Sequence, residues 1–222
     1  MSKTSGGAER SYRGVSQEQR IKARREAFMK AGMQLFGTQG YRATTVRDLC
    51  SEAKLTDRYF YESFEGTEEL LCAVYVSIMD DLEQRLNQLY QDHDQVHHHA
   101  GRKFLATFFE AMQDPLVAKI VLVEVLGVSQ RVDNLYQQNN LRFCNFLLSA
   151  INRTYGGFKP VASELYMCMG ILGAINQIAV YWTLSQYRDP VNVLIDTGLA
   201  LIEGCAKVPG AALYDQQGGK TD

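Results

Sequence analysis

Proline is scarce in this chain, with four in 222 residues. With so few helix breakers between long apolar periodicities, the chain reads as mostly helix. Cysteine is present but patternless. Cys50, Cys72, Cys144, Cys168 and Cys205 are odd in number and widely spaced, and no Cys-x-x-Cys pair occurs. With no secretory signal at the start, this fits a reducing, cytoplasmic setting. Each cysteine sits among apolar residues and reads as a small core residue, with a redox sensor as the alternative. No apolar run reads as a membrane span, because Asn, Gln or charge interrupts the longest ones, so no membrane partner is expected. Gly-rich phosphate loops, Gly-x-Ser-x-Gly and His-Glu-x-x-His are all missing, which leaves an enzyme without support. No cofactor is expected.

Net charge is also small, −2, but it is unevenly placed. Met1 to Tyr61 holds twelve Lys and Arg against six Asp and Glu; the remainder holds eleven against nineteen. A basic N-terminal quarter on an acidic body suits a DNA reader joined to a domain with a different partner; a solvated charged face is the plain alternative.

The chemistry is concentrated between Thr44 and Phe64. Thr45 followed by Asp48 makes a capping box, and Val46, Leu49, Cys50 and Ala53 then face one side of a short helix. Lys54-Leu55 makes a turn, and Thr56 caps a second short helix whose Phe60 and Phe64 point inward. Asp57, Arg58, Tyr59, Tyr61 and Glu62 fall on the outer faces. Two short helices of this kind form a helix-turn-helix, whose second member suits a DNA major groove.

Around this stretch lie residues 1–15, rich in Ser, Gly and charge. They read as a flexible arm, either a solvated tail or a strand reaching DNA. A long helix runs from Ser16 or Gln17 to Thr38, with Ile21, Phe28, Ala31, Leu35 and Phe36 as its stripe. Arg20, Lys22, Arg24 and Arg25 lie near its start, and Gly40 suits a left-handed turn after it. Gly66 or Thr67 caps a helix reaching Tyr90. His97, His98 and His99 follow in a polar stretch; a solvated helix start and a weak metal site are both open, and no metal is assigned. Further helices begin near Phe104, at Asp114-Pro115, at Ser129, at Pro160 and at Asp189-Pro190. Gly170, Gly173 and Gly198, with Ile175, Leu194 and Leu201, put small and apolar residues on the last two helices. A four-helix dimer interface and ordinary intrachain packing both account for them. The expected architecture is all-α with about nine helices: a helix-turn-helix domain over 16–66, a helical effector-binding and dimerisation domain over 67–207, and a flexible tail over 208–222.

The run Leu35-Phe36, Gly40-Tyr41, Thr44-Thr45-Val46-Arg47-Asp48-Leu49-Cys50, Thr56, Tyr61-Glu62-Ser63-Phe64 and Glu68-Glu69-Leu70 resembles the TetR family of one-component bacterial regulators. The resemblance covers about a quarter of the chain, from Arg20 to Val74. It implies a homodimeric repressor that binds a pseudo-palindromic double-stranded DNA operator and leaves it when a small, largely apolar effector binds. A helical protein-interaction adaptor, or an activator without an effector, is the alternative. By resemblance, Thr45, Tyr61 and Thr67 meet phosphates, while Arg47, Arg58, Tyr59 and Glu62 meet bases or adjoining backbone, with Lys54 and Thr56 beside them. An Arg58 pair with guanine N7 and O6 would contribute about 1–3 kcal/mol of discrimination. The family often carries His at Ser63, Lys at Thr67 and Gly at Lys54; two phosphate-binding groups are thus replaced here, with Lys54 and Arg58 left to supply charge. The effector site implied among the middle helices draws on Phe104, Phe108, Met112, Tyr136, Asn140, Phe143, Met167, Gln177 and Trp182, with plain core as the alternative for each. Asn139 is a further candidate for a polar end.

Overall fold

A computed structural model describes residues 16–91, 100–155 and 163–206. Within them the chain forms nine α-helices and no strand: α1 (Gln17–Thr38), α2 (Val46–Ala53), α3 (Asp57–Ser63), α4 (Thr67–Gln91), α5 (Ala100–Ala111), α6 (Pro115–Lys119), α7 (Gln130–Tyr155), α8 (Glu164–Leu184) and α9 (Val191–Ala206). A π-helical turn, Ile120–Glu124, continues α6. The expected arm, the tail and the three histidines lie outside the described residues.

Local chemistry sets the helix ends. Ser16 and Gln19 close a capping box on α1, and Thr45 and Asp48 close one on α2. Gly40, at φ +96°, turns the chain between them. The Asp114 carboxylate accepts from Leu116 N at 2.9 Å, and Pro115 takes the first position of α6, where its missing N–H costs nothing. Thr56 does stand at the N-cap of α3, but its hydroxyl makes no capping bond. Asp57 Oδ1 instead accepts from Arg58 N at 2.8 Å.

Packing is continuous from head to body. One set of buried side chains runs from Phe28 through Phe60, Leu70, Phe104 and Trp182 to Ile202. α1 lies across α2 and α3, with the Phe28 and Phe60 rings edge-to-face at 5.2 Å, and its far end lies against α6. Ile21, assigned above to the stripe of α1, is exposed, one turn beyond the reach of that core. α5 packs on α9 and α7, and α7 on α8. Arg142 on α7 pairs with Asp80 and Glu83 on α4, and Arg102 on α5 pairs with Asp196 on α9.

Two expectations about α8 need correction. Pro160 lies outside the described residues; the helix begins at Glu164, after Ser163 in extended conformation. By length and composition alone, α8 is also apolar enough to cross a membrane, with a mean hydropathy of 1.4. Its strongly polar residues, Glu164, Asn176 and Gln177, are too few to bring that average below the range of a membrane span. In the fold, Cys168, Ile171, Leu172, Ile175, Ala179 and Trp182 bury one face of it in the core.

Candidate nucleic-acid interface and effector cavity

Leu49, Phe60 and Phe64 are buried at the centre of the head, and this fixes α2 and α3 against α1. The turn between α2 and α3 passes through Lys54 at φ +54°, a left-handed conformation in which a side chain is strained. The Lys54 N–H still closes α2 by donating to Cys50 and Ser51 carbonyls. The backbone at Lys54 is one that glycine adopts without strain.

The outer face of α3 is braced from behind. The Arg24 guanidinium lies 4.2 Å over the Tyr59 ring and donates from Nη1 to Glu62 Oε2 at 3.3 Å. Arg25 lies 4.2 Å over the Phe64 ring and donates from Nη1 to the Ser63 carbonyl at 2.7 Å, satisfying the end of α3. Arg58 Nε donates to Glu62 Oε1 at 3.0 Å. Glu62 therefore sits between two guanidiniums. Tyr59, expected on the outer face, is half-buried under Arg24. Two of the basic residues near the start of α1 thus orient the presented helix.

Thr45, Arg47, Lys54, Thr56, Arg58, Tyr61 and Glu62 are exposed, Tyr61 at 61%, whereas Thr67 is half-buried at the start of α4. The Tyr61 ring leans edge-on against Phe60 at 5.4 Å, which anchors its base and leaves the hydroxyl outward. Asp48 accepts from both the backbone and the hydroxyl of Thr45. The Thr45 hydroxyl bond holds its carboxyl below the usual range, so the cap is charged at neutral pH. The Ser63 hydroxyl bonds the Tyr59 carbonyl at 2.9 Å and is spent within the helix.

The joint between head and body pairs backbone groups with three charged side chains. Glu124 Oε2 accepts from Tyr41 N at 2.7 Å, Lys119 Nζ donates to the Thr38 carbonyl at 2.5 Å, and Arg42 reaches the Gly127 carbonyl at 3.3 Å. Gly37 lies directly against Leu116. The π-helical turn therefore presents Glu124 to the head while burying Ile120, Val121 and Leu122. A π-turn spends an extra residue to re-aim side chains and is common at functional positions.

On the inner side of that turn is an apolar cavity. Its walls are Tyr75, Met79 and Leu82 from α4, Phe104 and Phe108 from α5, Val121 from the π-helical turn, Tyr136, Asn140 and Phe143 from α7, and Leu172, Ile175 and Asn176 from α8. The free space is about 30 Å³, enough for one or two waters. Five expected residues meet here: Phe104, Phe108, Tyr136, Asn140 and Phe143. Four do not line it. Met112 is buried elsewhere, its carbonyl accepting from Tyr187. Trp182 donates from Nε1 to the Asp189 carbonyl at 2.8 Å and stacks edge-on with Tyr187. Met167 is half-buried near the start of α8, and Gln177 is exposed on the outer face of α8. Asn139 is buried, but its amide is engaged with Leu135 and Arg142. Sequence reasoning missed the α4 wall because that helix reads as a strut out of the head. The spacing of Tyr75, Met79 and Leu82 was the available signal.

The last two helices divide the expected interface residues. Ile175, Leu194 and Gly198 are turned into the chain's own core, Gly198 lying under Leu105, in keeping with the intrachain alternative. Gly170 and Gly173 are exposed, with no atom of the chain near the place of a Cβ, and Leu201 is exposed as well. Around them α8 exposes Tyr166 (72%), Tyr181 (66%) and Leu184 (76%), with Leu165 and Met169.

An all-helical chain that carries a braced helix-turn-helix on a helical body is a DNA-binding transcriptional regulator in class. Residues 28–74 match the model described as bacterial regulatory proteins, tetR family. The chain is thus similar to the TetR family over its helix-turn-helix. Over 214 residues it is 24% identical to the HTH-type transcriptional regulator HbdR of Aromatoleum sp. (strain CIB), covering 89% of this chain and 91% of that one. Among solved structures, the fatty acid degradation regulator FadR from Bacillus halodurans aligns with TM-score 0.71 at 14% identity, over 82% of this chain and 95% of that chain. The FadR of Bacillus subtilis, in complex with stearoyl-CoA, aligns with TM-score 0.67 at 14% identity, over 82% and 97%. Each of these proteins is named as a regulator.

Proposed function

We propose that the protein is a cytoplasmic, homodimeric repressor that leaves its operator when a small, largely apolar effector enters the cavity. The observation that carries the DNA-binding part is the presentation of α3. Arg24 and Arg25 fix it from behind, while Arg58 and Tyr61 project from its open face. Arg58 is held by Glu62 through Nε alone, which leaves its terminal nitrogens for a base edge. Thr45, Arg47, Lys54, Thr56 and Tyr61 surround it as phosphate and backbone contacts, with Thr67 at their margin. Residues 16–66 act as the reading head and 67–207 as the effector-binding and dimerisation domain.

A second copy covers the α8 face. Gly170 and Gly173 mid-helix cost roughly 1 kcal/mol each against alanine, and close approach of a partner helix offsets that. Two heads read two half-sites only at one spacing, so a change in the body becomes a change in DNA affinity. The cavity supports effector control: twelve residues from five elements line it, and Val121 stands three residues from Glu124, which holds the head. Its apolar lining suits an acyl chain, and the structural neighbour with stearoyl-CoA supports that class. At about 30 Å³ the cavity is closed, so an effector must spread the helices to enter.

Binding to a palindromic duplex from the DNA upstream of its own gene tests the reading. Specific binding should exceed that to random duplex at moderate salt, and Arg58→Ala with Tyr61→Ala should abolish the preference while leaving the helical content intact. Equal affinity for both duplexes would remove the repressor assignment.

A further inference from the structure

The cavity wall is apolar except at a few oxygens and nitrogens, and one of these has no partner. Tyr75 is 1% exposed, and its hydroxyl finds no hydrogen-bond partner among the described residues. It stands on α4 against the Tyr136 ring, with centroids 6.5 Å apart. The amides of Asn140 and Asn176 line the same space from α7 and α8. A buried hydroxyl without a partner destabilises the folded chain, so such a group is expected to meet one in some state of the protein. Among the described residues, no Lys, Arg or His lines this cavity.

We infer that Tyr75 is the specificity-determining donor for the effector, and that the effector places a neutral oxygen, a carbonyl of the ester or thioester kind, inside an otherwise apolar body. The inference rests on the effector-controlled reading above and names the chemistry that site selects. The phenol is a donor and not an anion: burial raises its pKa well above the ordinary tyrosine value, and the neighbouring Tyr136 adds to the effect. A carboxylate in the same place would be stripped of water with no cation to pair with it, at a large cost. A neutral carbonyl accepts from Tyr75 and leaves only alkyl or ring surface for Met79, Phe104, Phe108 and Phe143. The cavity therefore distinguishes an acyl derivative from the free acid of the same chain by charge.

The test uses the full chain, with methyl octanoate and sodium octanoate as probes, in titration calorimetry at pH 7.5. Methyl octanoate should bind at least about tenfold more tightly than octanoate. Tyr75→Phe should weaken the ester by about fivefold to tenfold and leave octanoate unchanged. The melting temperature of ligand-free Tyr75→Phe should equal or exceed that of the natural chain, because the lost hydroxyl had no partner. Equal affinity for the two probes, or an ester affinity that survives Tyr75→Phe, overturns the inference and leaves the effector cavity standing. Binding of neither probe overturns the cavity reading along with it. Operator binding, measured separately on the same preparations, is independent of all these outcomes.

Discussion

Replacing Gly37 by alanine should drive head and body apart. A Cβ built on Gly37 falls 2.7 Å from both Cα and Cβ of Leu116 and 2.8 Å from its Cδ2, where ordinary contact begins at 3.4 Å. Two of the three obstructing atoms are Cα and Cβ, so no rotamer change relieves them. α1 and α6 must separate by most of an ångström. Overpacking of this kind costs about 1–3 kcal/mol. Alanine's better helix propensity returns up to about 1 kcal/mol, and less here because Gly37 is next to the last residue of α1. The net loss is about 1–2 kcal/mol, which for a chain of this length lowers the melting temperature by roughly 2–8 °C. Thermal unfolding followed by circular dichroism reads that shift. The same displacement strains the Lys119–Thr38 and Glu124–Tyr41 bonds, so operator affinity should fall as well. Adding Leu116→Ala should not restore stability, since it removes Cδ2 and leaves Cα and Cβ in place. A melting temperature that stays level or rises would show that the helices do not approach this closely, and the argument for a rigid joint would fail.

Three other outcomes follow from the same geometry. Lys54→Gly should raise the melting temperature by about 2–8 °C, because a left-handed non-glycine residue costs about 1–2 kcal/mol; a fall would mean that the lysine side chain stabilises the turn. Gly173→Leu should convert dimer to monomer in sedimentation or light scattering, with little change in helical content; an unchanged mass would move the interface away from α8. Stability should decline in alkali between pH 9 and 11. Burial pushes the Cys168 thiol up to about 11 from an ordinary 9, so its contribution is complete below pH 9 and lost as pH rises through the folded value. Cys168→Ala should flatten that part of the profile in urea unfolding, and an unaltered slope would assign the effect elsewhere.

Much of the head was legible in the chain itself because its signals are local. Ser16, Thr45 and Gly40 set helix ends through atoms within four residues of themselves, and Phe60 and Phe64 declare their side of α3 by spacing. Thr56 shows the limit of that reasoning: a capping residue type in the capping position makes no capping bond, because the neighbouring aspartate takes an N–H at the same helix start.

The sequence by itself determined the all-helical class, the helix-turn-helix and its likeness to the TetR family, since caps, periodicity and motif spacing act over a few residues. Only the tertiary structure decided what each polar or small residue is for. Arg24 and Arg25 read in the chain only as part of a basic helix start and serve as braces in the fold. Tyr59 looks like an outer aromatic and lies under Arg24. Ile175 and Gly198 look like interface residues, yet one lines the cavity and the other receives Leu105. A helix's period says which residues share a face; it does not say which neighbour that face will meet. That depends on contacts between residues far apart in the chain, and here those contacts placed Tyr75 in the wall of the cavity.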